Sequence, residues 1–510
     1  MKKFNITVPV VSMLLTALTA VGETTGVMDS MEWSAEAYAG IGSGDFAPYH
    51  ISSLRHGRVS SSSAMYFEGS VIRSLSDTRR YDWGFGADLI TGYASDVDYQ
   101  RYDADDHSWY YHSMRPSSAR VQQLYAEGRW RSIFLTAGMK ERGSRLVNNK
   151  LSSGDLTYSG NTVPMPEIRM GFNDFQNIPL TSGWLQIQGE VAIGKRMDNK
   201  WVRNHYNYYN FYLSQGEWMN YKSLYLRSNP AKPFSMLIGM QAVAEFWGST
   251  VFYKNGEPIN VHVRKKSFGS LWRSFIPTED GKEGFYEGNH LGSIDVKGRY
   301  RLRSGDRIKA YVSWPWEDGS GLGKLNGWDG LWGLEYRSGR RGLINGAVLE
   351  ILSFTNHSGH IHFNPADVSS EAIFPGHVSG CDDYYNHVEY NSYAYYGLSI
   401  GSPAFMGPLY HRDGYNRFIG NVMRGFHFAL EGSLSSQIDY IAKCSYRKAW
   451  GSGYFHLAEP IHESSFMVGA DWRVPKIKGL KVNGMVEIDR GTMPGNALGI
   501  ALGVKWTGHK

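Results

Sequence analysis

The segment Ile294-Asp-Val-Lys-Gly-Arg-Tyr-Arg-Leu-Arg303 alternates between apolar and charged residues along most of its length. Successive side chains of a β-strand point to opposite faces, so this pattern gives an extended chain two chemically different sides. One side consists of Ile294, Val296, Tyr300 and Leu302, and the other of Asp295, Lys297, Arg299, Arg301 and Arg303. The segment therefore predicts a strand that lies between an apolar medium and water.

The same alternation recurs along the chain. It is clear in Leu480–Asp489 and Tyr81–Tyr93, and similar runs are Leu185–Ile193, Phe234–Glu245, Ile308–Trp314 and Phe426–Ser433. A tilted strand of about ten residues is long enough to cross a bilayer. Trp or Tyr recurs near the ends of such runs, as in the girdles of membrane barrels, at Tyr81, Tyr93, Trp314, Trp472 and Trp506. These features predict an all-β fold, a closed transmembrane antiparallel β-barrel, with a secreted β-rich protein as the alternative.

The composition agrees with a barrel and excludes two other classes. The chain has 510 residues, 59 of them Gly, with 14% aromatic and 20% charged residues. Glycine is costly inside helices and aromatic residues prefer strands, which disfavours a helical bundle. Beyond the N-terminus there is no run of about 18 apolar residues, which excludes a polytopic helical membrane protein. The net charge of +5 is too mild to suggest a nucleic-acid partner.

The N-terminus predicts export. Lys2 and Lys3 precede the uncharged apolar stretch Phe4–Val21, and small residues near Gly22 offer a cleavage site. We therefore expect a signal peptide at 1–22, a single barrel domain at 23–510, and localisation in the cell outer membrane. At roughly 27 residues for each strand and its connection, the domain predicts about 18 strands.

The end of the chain and the cysteines fit the same scheme. Leu498–Trp506 alternates and predicts the last strand, although Thr-Gly-His-Lys follows Trp506 where such barrels commonly finish on an aromatic residue. Cys444 lies on an apolar strand face and Cys381 in a polar loop, so both are expected to be free.

Catalytic and metal motifs are weak. The chain has no Walker motif, and we do not expect an enzyme or a cofactor. His357-Ser-Gly-His-Ile-His362 could offer two metal ligands, and the acidic cluster Asp96–Asp106 could hold calcium. Neither has the spacing of a known site, and polar loops explain both better; no metal site is predicted.

A polar, aromatic loop is the best candidate for ligand binding. It is Asp382-Asp-Tyr-Tyr-Asn-His387, which combines Asp382, Asp383, Tyr384, Tyr385, Asn386 and His387. Sugar rings pack on aromatic faces while carboxylates and amides bind hydroxyls, so this composition suits carbohydrate. Residues of the same character are Trp316, Glu317, Asp318, Trp201 and Arg203. The alternative is a tyrosine-rich loop that simply packs on the barrel rim.

An ordered series of short motifs runs through most of the chain. The series comprises Leu151-Ser-Ser-Gly-Asp-Leu-Thr-Tyr-Ser-Gly-Asn161, Pro164-Met-Pro-Glu-Ile-Arg169, Lys222-Ser-Leu-Tyr-Leu-Arg227, Asn289-His-Leu-Gly-Ser-Ile-Asp295, Glu317-Asp-Gly-Ser-Gly321, Asp329-Gly-Leu-Trp-Gly333, Asp382-Asp-Tyr-Tyr-Asn386, Gly401 with Pro403, Asn416-Arg417 and Arg424-Gly-Phe-His427. With these motifs the chain resembles the Wzi family of outer-membrane capsule assembly proteins, in the form found in Bacteroides-like bacteria.

The resemblance implies a barrel of about 18 strands that acts as a lectin and is not an enzyme. Its partners would be capsular or extracellular polysaccharide, outer-membrane lipid and lipopolysaccharide, and we expect a monomer. Arg203, Arg417 and Arg424 could pair with uronate or phosphate groups, since Arg offers a planar fork of donors.

The chain also departs from this family. Trp33–Ile41 already alternates where the best-known members have an N-terminal helical bundle, and only Asp45–Arg58 could form a short helical plug. Tyr221 and Ala242 stand where members often have histidine, so no role of those histidines is carried over.

Two other functions remain open from the sequence. The charged face of Ile294–Arg303 would equally suit the water-filled lumen of a porin or oligosaccharide channel. An outer-membrane hydrolase is a weaker alternative.

Overall fold

The protein is described here from a computed structural model, which covers residues 31–76, 79–276, 287–317, 319–359, 362–363, 378–379 and 382–509. The predicted signal peptide, Asp318, His360 and Cys381 lie outside these residues. Eighteen strands form a closed antiparallel barrel. They are β1 Met31–Gly42, β2 Ala64–Arg73, β3 Tyr81–Ala94, β4 Ala119–Trp130, β5 Ile133–Met139, β6 Pro166–Phe172, β7 Leu185–Lys195, β8 Trp218–Ser228, β9 Phe234–Phe246, β10 Asn289–Arg301, β11 Arg307–Trp316, β12 Gly330–Arg337, β13 Gly346–Phe354, β14 Met423–Ser433, β15 Ile438–Gly451, β16 His456–Arg473, β17 Leu480–Gly491 and β18 Ala497–His509.

The barrel is an up-and-down meander that closes between its first and last strands. Each strand pairs with its neighbours in the chain, and β1 pairs with both β2 and β18. The closing register joins Glu32 to His509 and Gly42 to Gly499. Closure leaves no strand edge with unpaired backbone groups, which is the condition for a sheet to cross a bilayer. The predicted fold class is confirmed.

The two predicted faces of the strands are also observed. In β18, Leu498, Ile500 and Leu502 are exposed on the outer wall, whereas Ala501 is buried on the lumen side. In β10, Asp295 is buried in the lumen and Tyr300 is exposed outside. The real strands are longer than the alternating runs: β10 begins at Asn289, and β18 continues past Trp506 to His509.

The long connections are gathered at one end of the barrel. Because antiparallel strands alternate in direction, every second connection lies at the same end. That end carries 43–63, 95–118, 140–165, 196–217, 247–288, 317–329 and 355–422, and the opposite end carries shorter turns and both ends of the described chain, Met31 and His509. Outer-membrane barrels have long extracellular loops and short periplasmic turns, so we assign the long-loop end to the cell exterior.

Helices and small sheets occur only in the long connections of the described chain. The helices are α1 Tyr49–Ser52, α2 Asn199–His205, α3 Phe268–Phe275, α4 Gly319–Leu322 and the 3-10 turn Pro408–Tyr410. None of these helices is long and apolar enough to cross a membrane. A hairpin joins Val97–Asp103 to Ser108–Met114, and Phe211–Gln215, Ser249–Lys254 and Glu257–Val263 form a three-stranded sheet.

The first connection places α1 inside the barrel. The backbone N–H of Tyr49 donates to Asp489 Oδ2 at 2.8 Å, and those of His50 and Ile51 donate to Glu487 at 2.7 Å each. These carboxylates of β17 therefore accept the free N–H groups of the first helical turn. The one-turn helix lies within Asp45–Arg58, where a short helical plug was predicted.

Two further connections, 140–165 and 382–422, also fill the lumen. Leu151 O accepts a 2.7 Å hydrogen bond from His427 Nε2 of β14, and the N–H of Ser153 donates to Glu350 Oε2 of β13 at 2.6 Å. The two connections join each other as well: Tyr393 OH donates to Thr157 O at 2.8 Å. We call the two connections together the plug. Its core contains Leu156, Tyr385, Tyr393, Phe405 and Phe418, all buried.

Cys444 is a free cysteine, as predicted. It lies on the outer wall of β15, because the residues on either side of it in the strand, Lys443 and Ser445, are buried on the lumen side.

Candidate functional site

The predicted sugar-binding loop lies within the plug. Tyr384 is 1% exposed; its hydroxyl donates to Asp329 Oδ2 at 3.0 Å and accepts from Asn326 Nδ2 at 3.2 Å. Tyr385 is equally enclosed, and its hydroxyl donates to Leu156 O. Burial raises the pKa of Tyr384 well above its usual range. Both phenols are therefore used in holding the plug together.

The remaining residues of this loop are also bonded inside the protein. Asp383 Oδ1 accepts from Gly453 N at 2.8 Å, and Asn386 donates to Phe418 O at 2.9 Å. Asp382 is buried and accepts a hydrogen bond from Ser358. Burial lowers the pKa of His387 to about 3, so this imidazole is neutral at physiological pH.

The other predicted residues divide between four places. Glu317 Oε1 accepts from the N–H of Tyr385 at 2.6 Å and so belongs to the buried group. Trp316 is buried at the outer end of β11. Arg424 is exposed and lies on the same outer face of β14 as Phe426, so it points away from the lumen. Trp201, Arg203 and Arg417 lie at the outer end, described next. Sugar contact at any of these positions stays a prediction.

The outer end carries exposed aromatic rings on a hairpin. Trp109, Tyr110 and Tyr111 are 46%, 42% and 60% exposed. Asp103 Oδ1 closes the hairpin turn by accepting from the N–H groups of Asp105 and Asp106 at 2.9 and 3.2 Å. The acidic cluster therefore has a structural role here, and the described residues contain no group of three or more His, Cys, Asp or Glu suited to a metal ion.

Neighbouring loops add two groups of rings: Tyr209 packs on the hairpin, and Phe211 packs on Tyr415 and Phe455. Trp109 contacts Tyr102 and Tyr209 with centroids 5.3 and 5.0 Å apart, and Tyr102 lies 4.7 Å from Tyr209. Rings at such spacings stabilise each other by about 0.5–1.5 kcal/mol per pair. We call the whole group the aromatic surface; it consists of Tyr102, Trp109, Tyr110, Tyr111, Tyr208, Tyr209, Phe211, Tyr415 and Phe455.

Arginines stand among these rings. The Arg417 guanidinium lies 4.6 Å from the Tyr415 ring and 4.9 Å from the Phe455 ring, with Asp413 at 3.9 Å. Arg101 lies 4.9 Å above Tyr208. Stacking on rings keeps a guanidinium in place while its N–H edge stays available to an anion. The aromatic surface can therefore present both ring faces and fixed cationic donors.

The aromatic surface includes Tyr415 of the plug, and the hairpin is hydrogen-bonded to the plug and to the connection 196–217. Tyr99 OH of the hairpin donates to Leu409 O at 2.7 Å, and the N–H of Tyr102 donates to Asn207 O at 2.8 Å. In α2, the ring of Trp201 stacks on His205 at 4.7 Å, and His205 Nδ1 bonds Asn416 Oδ1 at 2.9 Å. Burial lowers the pKa of His205 to about 4, against the raising influence of Asn416 and Asp413.

Arg203 is exposed on α2 beside this group, and its Nη1 donates to Gln215 Oε1 at 3.2 Å. Of the predicted residues, the structure thus brings Trp201, Arg203 and Arg417 to the outer end, and it places the Asp382–His387 loop beneath them in the plug.

Comparison with solved structures supports the architecture. The Escherichia coli protein Wzi, described as an outer-membrane protein involved in group 1 capsule assembly and a carbohydrate-binding β-barrel, matches with a TM-score of 0.55 and 11% identity over 97% of this chain and 87% of that chain. The chain has the fold of an outer-membrane barrel.

Two further structures match less well. OccAB2 of Acinetobacter baumannii has a TM-score of 0.46 at 8% identity, covering 95% of this chain and 99% of its own. OprD of Pseudomonas aeruginosa has a TM-score of 0.43 at 8% identity, covering 96% of each chain. No family model matches the chain, and no curated protein matches it in sequence. The similarities therefore define the fold and leave the function to be argued from the residues.

The sequence interpretation missed most of the aromatic surface. The run Trp109-Tyr-Tyr-His112 is as rich in rings as the Asp382–His387 loop. Its aromatic residues between two polar segments are a sequence signal of an exposed aromatic hairpin. The contribution of Phe455 had no sequence signal, because it reaches Phe211 only through the fold.

Proposed function

We propose that this protein binds capsular or other extracellular polysaccharide at the outer face of the outer membrane and does so without catalysis. The observation that carries the proposal is the aromatic surface, which stands exposed above a lumen filled by the plug. The fold similarity to a carbohydrate-binding barrel is consistent with it.

The chemistry of the aromatic surface fits a sugar polymer. The C–H faces of a pyranose ring are apolar and can cover an exposed indole or phenol, as Trp109 and Tyr111 offer here. Arg417 offers paired N–H donors to a uronate or phosphate group of an anionic polymer. A single repeat would bind weakly, and retention of a long chain would come from many repeats engaging many copies of the protein.

The attachment of the aromatic surface to the plug supports the same function. A binding surface that is already ordered loses less conformational freedom when its ligand binds, and so keeps more of its interaction energy as affinity. The hydrogen bonds from Tyr99 and Tyr102 to the loops below provide this order. The loops below the hairpin thus hold the proposed binding surface in a fixed position.

The direct test uses purified protein in detergent micelles and polysaccharide from the parent strain. We expect the wild type to bind, and the double variant Trp109→Ala/Tyr111→Ala to lose most of the binding while still folding as a barrel. In a deletion strain, polymer synthesis should continue and cell-associated polysaccharide should fall. No binding by the wild type, together with unchanged cell-associated polysaccharide, would refute the proposal.

A solute channel is the second candidate, and one observation favours it. Polar cavities of about 390 and 300 Å³ lie toward the short-turn end of the lumen, and Arg307 and Arg337 line both. If the plug moved, these cavities could join a path through the barrel. Conductance in a planar bilayer distinguishes the two functions: large steady openings indicate a channel, whereas a silent wild type that conducts once residues 146–158 are replaced by a short Gly-Ser linker indicates a closed plug.

A further inference from the structure

Helix α3 has the opposite polarity to a helix that packs on a soluble core. It begins at the N-cap Ser267, whose side chain accepts from the N–H of Ser270 at 3.0 Å. Phe268, Trp272 and the following Ile276 lie four residues apart on one face and are 82%, 56% and 46% exposed. In water such a stripe would be costly, so the surroundings of this face must be apolar.

The polar face of α3 is turned toward the protein. Ser270 and Ser274 are buried; Trp247 Nε1 donates to Ser270 Oγ at 2.7 Å, and Asn220 Nδ2 donates to Ser274 O at 3.0 Å. Lys222 Nζ donates to Ser274 O and Phe275 O at 3.3 and 2.8 Å. The ammonium thus caps the last carbonyls of the helix and complements its dipole.

The partners of α3 lie on the outer wall of the barrel. In β8, Tyr221 faces the lumen, where its ring contacts Tyr158 of the plug, and Leu224 is exposed outside. Asn220 and Lys222 have the same parity as Leu224, so they too point outward. The helix therefore lies outside the barrel, against the wall. It contacts Asn220 and Lys222, which lie two and four residues below the outer end of β8 at Trp218. Tryptophans at this height mark the membrane interface of such barrels.

Below the helix the wall forms an apolar groove of about 1040 Å³. Phe275 and Ile276 form its upper end, and Leu224, Ile238, Met240 and Met170 line its length. These outward side chains belong to strands β6, β8 and β9, so the groove runs along the membrane-facing wall.

Positive charge lies at the start of α3, at the opposite end of the helix from the groove. Lys265 and Lys266 are exposed directly before the N-cap of α3. A short helix with aromatic residues on one face and lysines beside it is typical of segments that lie in the membrane interface and bind anionic lipid.

We propose that the segment 264–276 is a membrane-interface helix, and that the groove holds an acyl chain of a phosphate-bearing outer-leaflet lipid of the lipid A type, with Lys265 and Lys266 binding its phosphates. The helix would fix the height of the barrel in the outer leaflet. The lysines select an anionic headgroup, and the groove accepts the chain.

The position of the helix is tested by labelling. In a Cys381→Ser/Cys444→Ser background, Trp272→Cys carries a nitroxide spin label in vesicles that contain lipid A, with Tyr111→Cys as the aqueous reference. We expect the label at position 272 to be reached by dissolved oxygen and shielded from a water-soluble nickel chelate, and the label at 111 to show the reverse. Equal access of the nickel chelate to both labels would overturn the interface helix.

The lipid is tested with detergent-solubilised full-length protein and lipid A, with zwitterionic phosphatidylethanolamine as the comparison. Each lysine near an anionic surface is worth about fivefold in affinity, so Lys265→Gln/Lys266→Gln should weaken lipid A binding about twenty-fivefold. The matched control Lys476→Gln/Lys478→Gln, at the short-turn end, should change it less than twofold.

Filling the groove gives an independent variant. Leu224→Trp should reduce lipid A binding at least tenfold and leave the thermal midpoint of the barrel within a few degrees of the wild type. Unchanged lipid A affinity in both the lysine and the groove variants, or equal wild-type affinity for the two lipids, would overturn the lipid site without bearing on polysaccharide binding.

Discussion

Trp109 offers the sharpest test of polysaccharide binding, because its ring is at once exposed and held in place by neighbours. Its side chain is 46% exposed and packs on Tyr102 and Tyr209. A large aromatic side chain presents up to about 250 Å². Roughly 110 Å² of Trp109 therefore faces solvent, and a sugar ring that covers half of it removes about 55 Å² from water.

The substitution Trp109→Ala removes that contact. At about 25 cal/mol per Å², the lost burial corresponds to about 1.4 kcal/mol, or a tenfold weaker dissociation constant. The measurement is isothermal titration of purified protein with an oligosaccharide of one repeat unit, because a long polymer would multiply the loss through avidity. Trp109→Phe retains a ring and should recover most of the affinity.

The control for this measurement is Trp184→Ala. Trp184 is 63% exposed but lies in the connection 173–184 at the opposite end of the barrel. We expect its removal to leave oligosaccharide binding unchanged. If Trp109→Ala binds as tightly as the wild type, or if the two alanine variants lose equal affinity, the assignment of the sugar site to the aromatic surface is refuted.

Three further predictions concern charge, the plug and pH. Arg417→Gln should weaken binding of an anionic polymer about three- to fivefold and reduce its salt dependence, with a neutral polymer unaffected, in the same titration. Arg196 begins the connection 196–217 and donates to Ala394 O of the plug; Arg196→Met leaves the buried carboxylates of Asp198 and Glu245 without their cation and should lower the free energy of unfolding by about 3–5 kcal/mol in urea titrations in micelles. Burial holds the pKa of His205 at about 4 in the folded protein, below the value of about 6.5 for an exposed histidine. As the pH falls below 6.5, the unfolded chain therefore takes up a proton that the folded protein does not, and the free energy of unfolding should decrease by about 3 kcal/mol by pH 4. Hydrogen exchange of the outer loops should show this loss, and His205→Gln should remove that part of the pH dependence; identical profiles would contradict it.

The barrel wall could be predicted from sequence because alternation is a local property. The faces of β10 follow from the residue types of Ile294–Arg303 alone, since a strand in a membrane barrel has lipid on one side whatever its neighbours are. The first and last residues of the strands were harder to predict. Asn289–Gly292, at the start of β10, is buried next to the outer loops and does not alternate, so only pairing with β9 reveals it as strand.

The position of the Asp382–His387 loop could not be predicted, because it depends on contacts far apart in sequence. Tyr385 bonds Leu156, which is 229 residues away. A polar loop is expected at the surface unless its groups find partners, and here they do: Asp329 and Asn326 satisfy the hydroxyl of Tyr384. The exposed, ring-rich surface that composition predicted for this loop lies instead on the hairpin formed by Val97–Asp103 and Ser108–Met114.

The charged lumen face of β10 shows why the residue pattern of a strand does not distinguish an open pore from a barrel filled by a plug. Charges on a lumen wall can bind water in a channel or bind a loop that fills it, and the sequence of the wall is the same in both cases. Here Lys297 Nζ donates to the carbonyls of Arg145 and Leu146 at 2.7 and 2.9 Å, and Asp295 accepts from Tyr225 and Ser313 at 2.7 and 2.6 Å. These contacts tie the wall to the plug and to neighbouring strands. Releasing the plug would break the bonds from Lys297 to Arg145 and Leu146, whereas those of Asp295 would remain, because Tyr225 and Ser313 belong to the barrel wall. The stability of the plug is therefore the physical quantity that separates a binding platform from a channel.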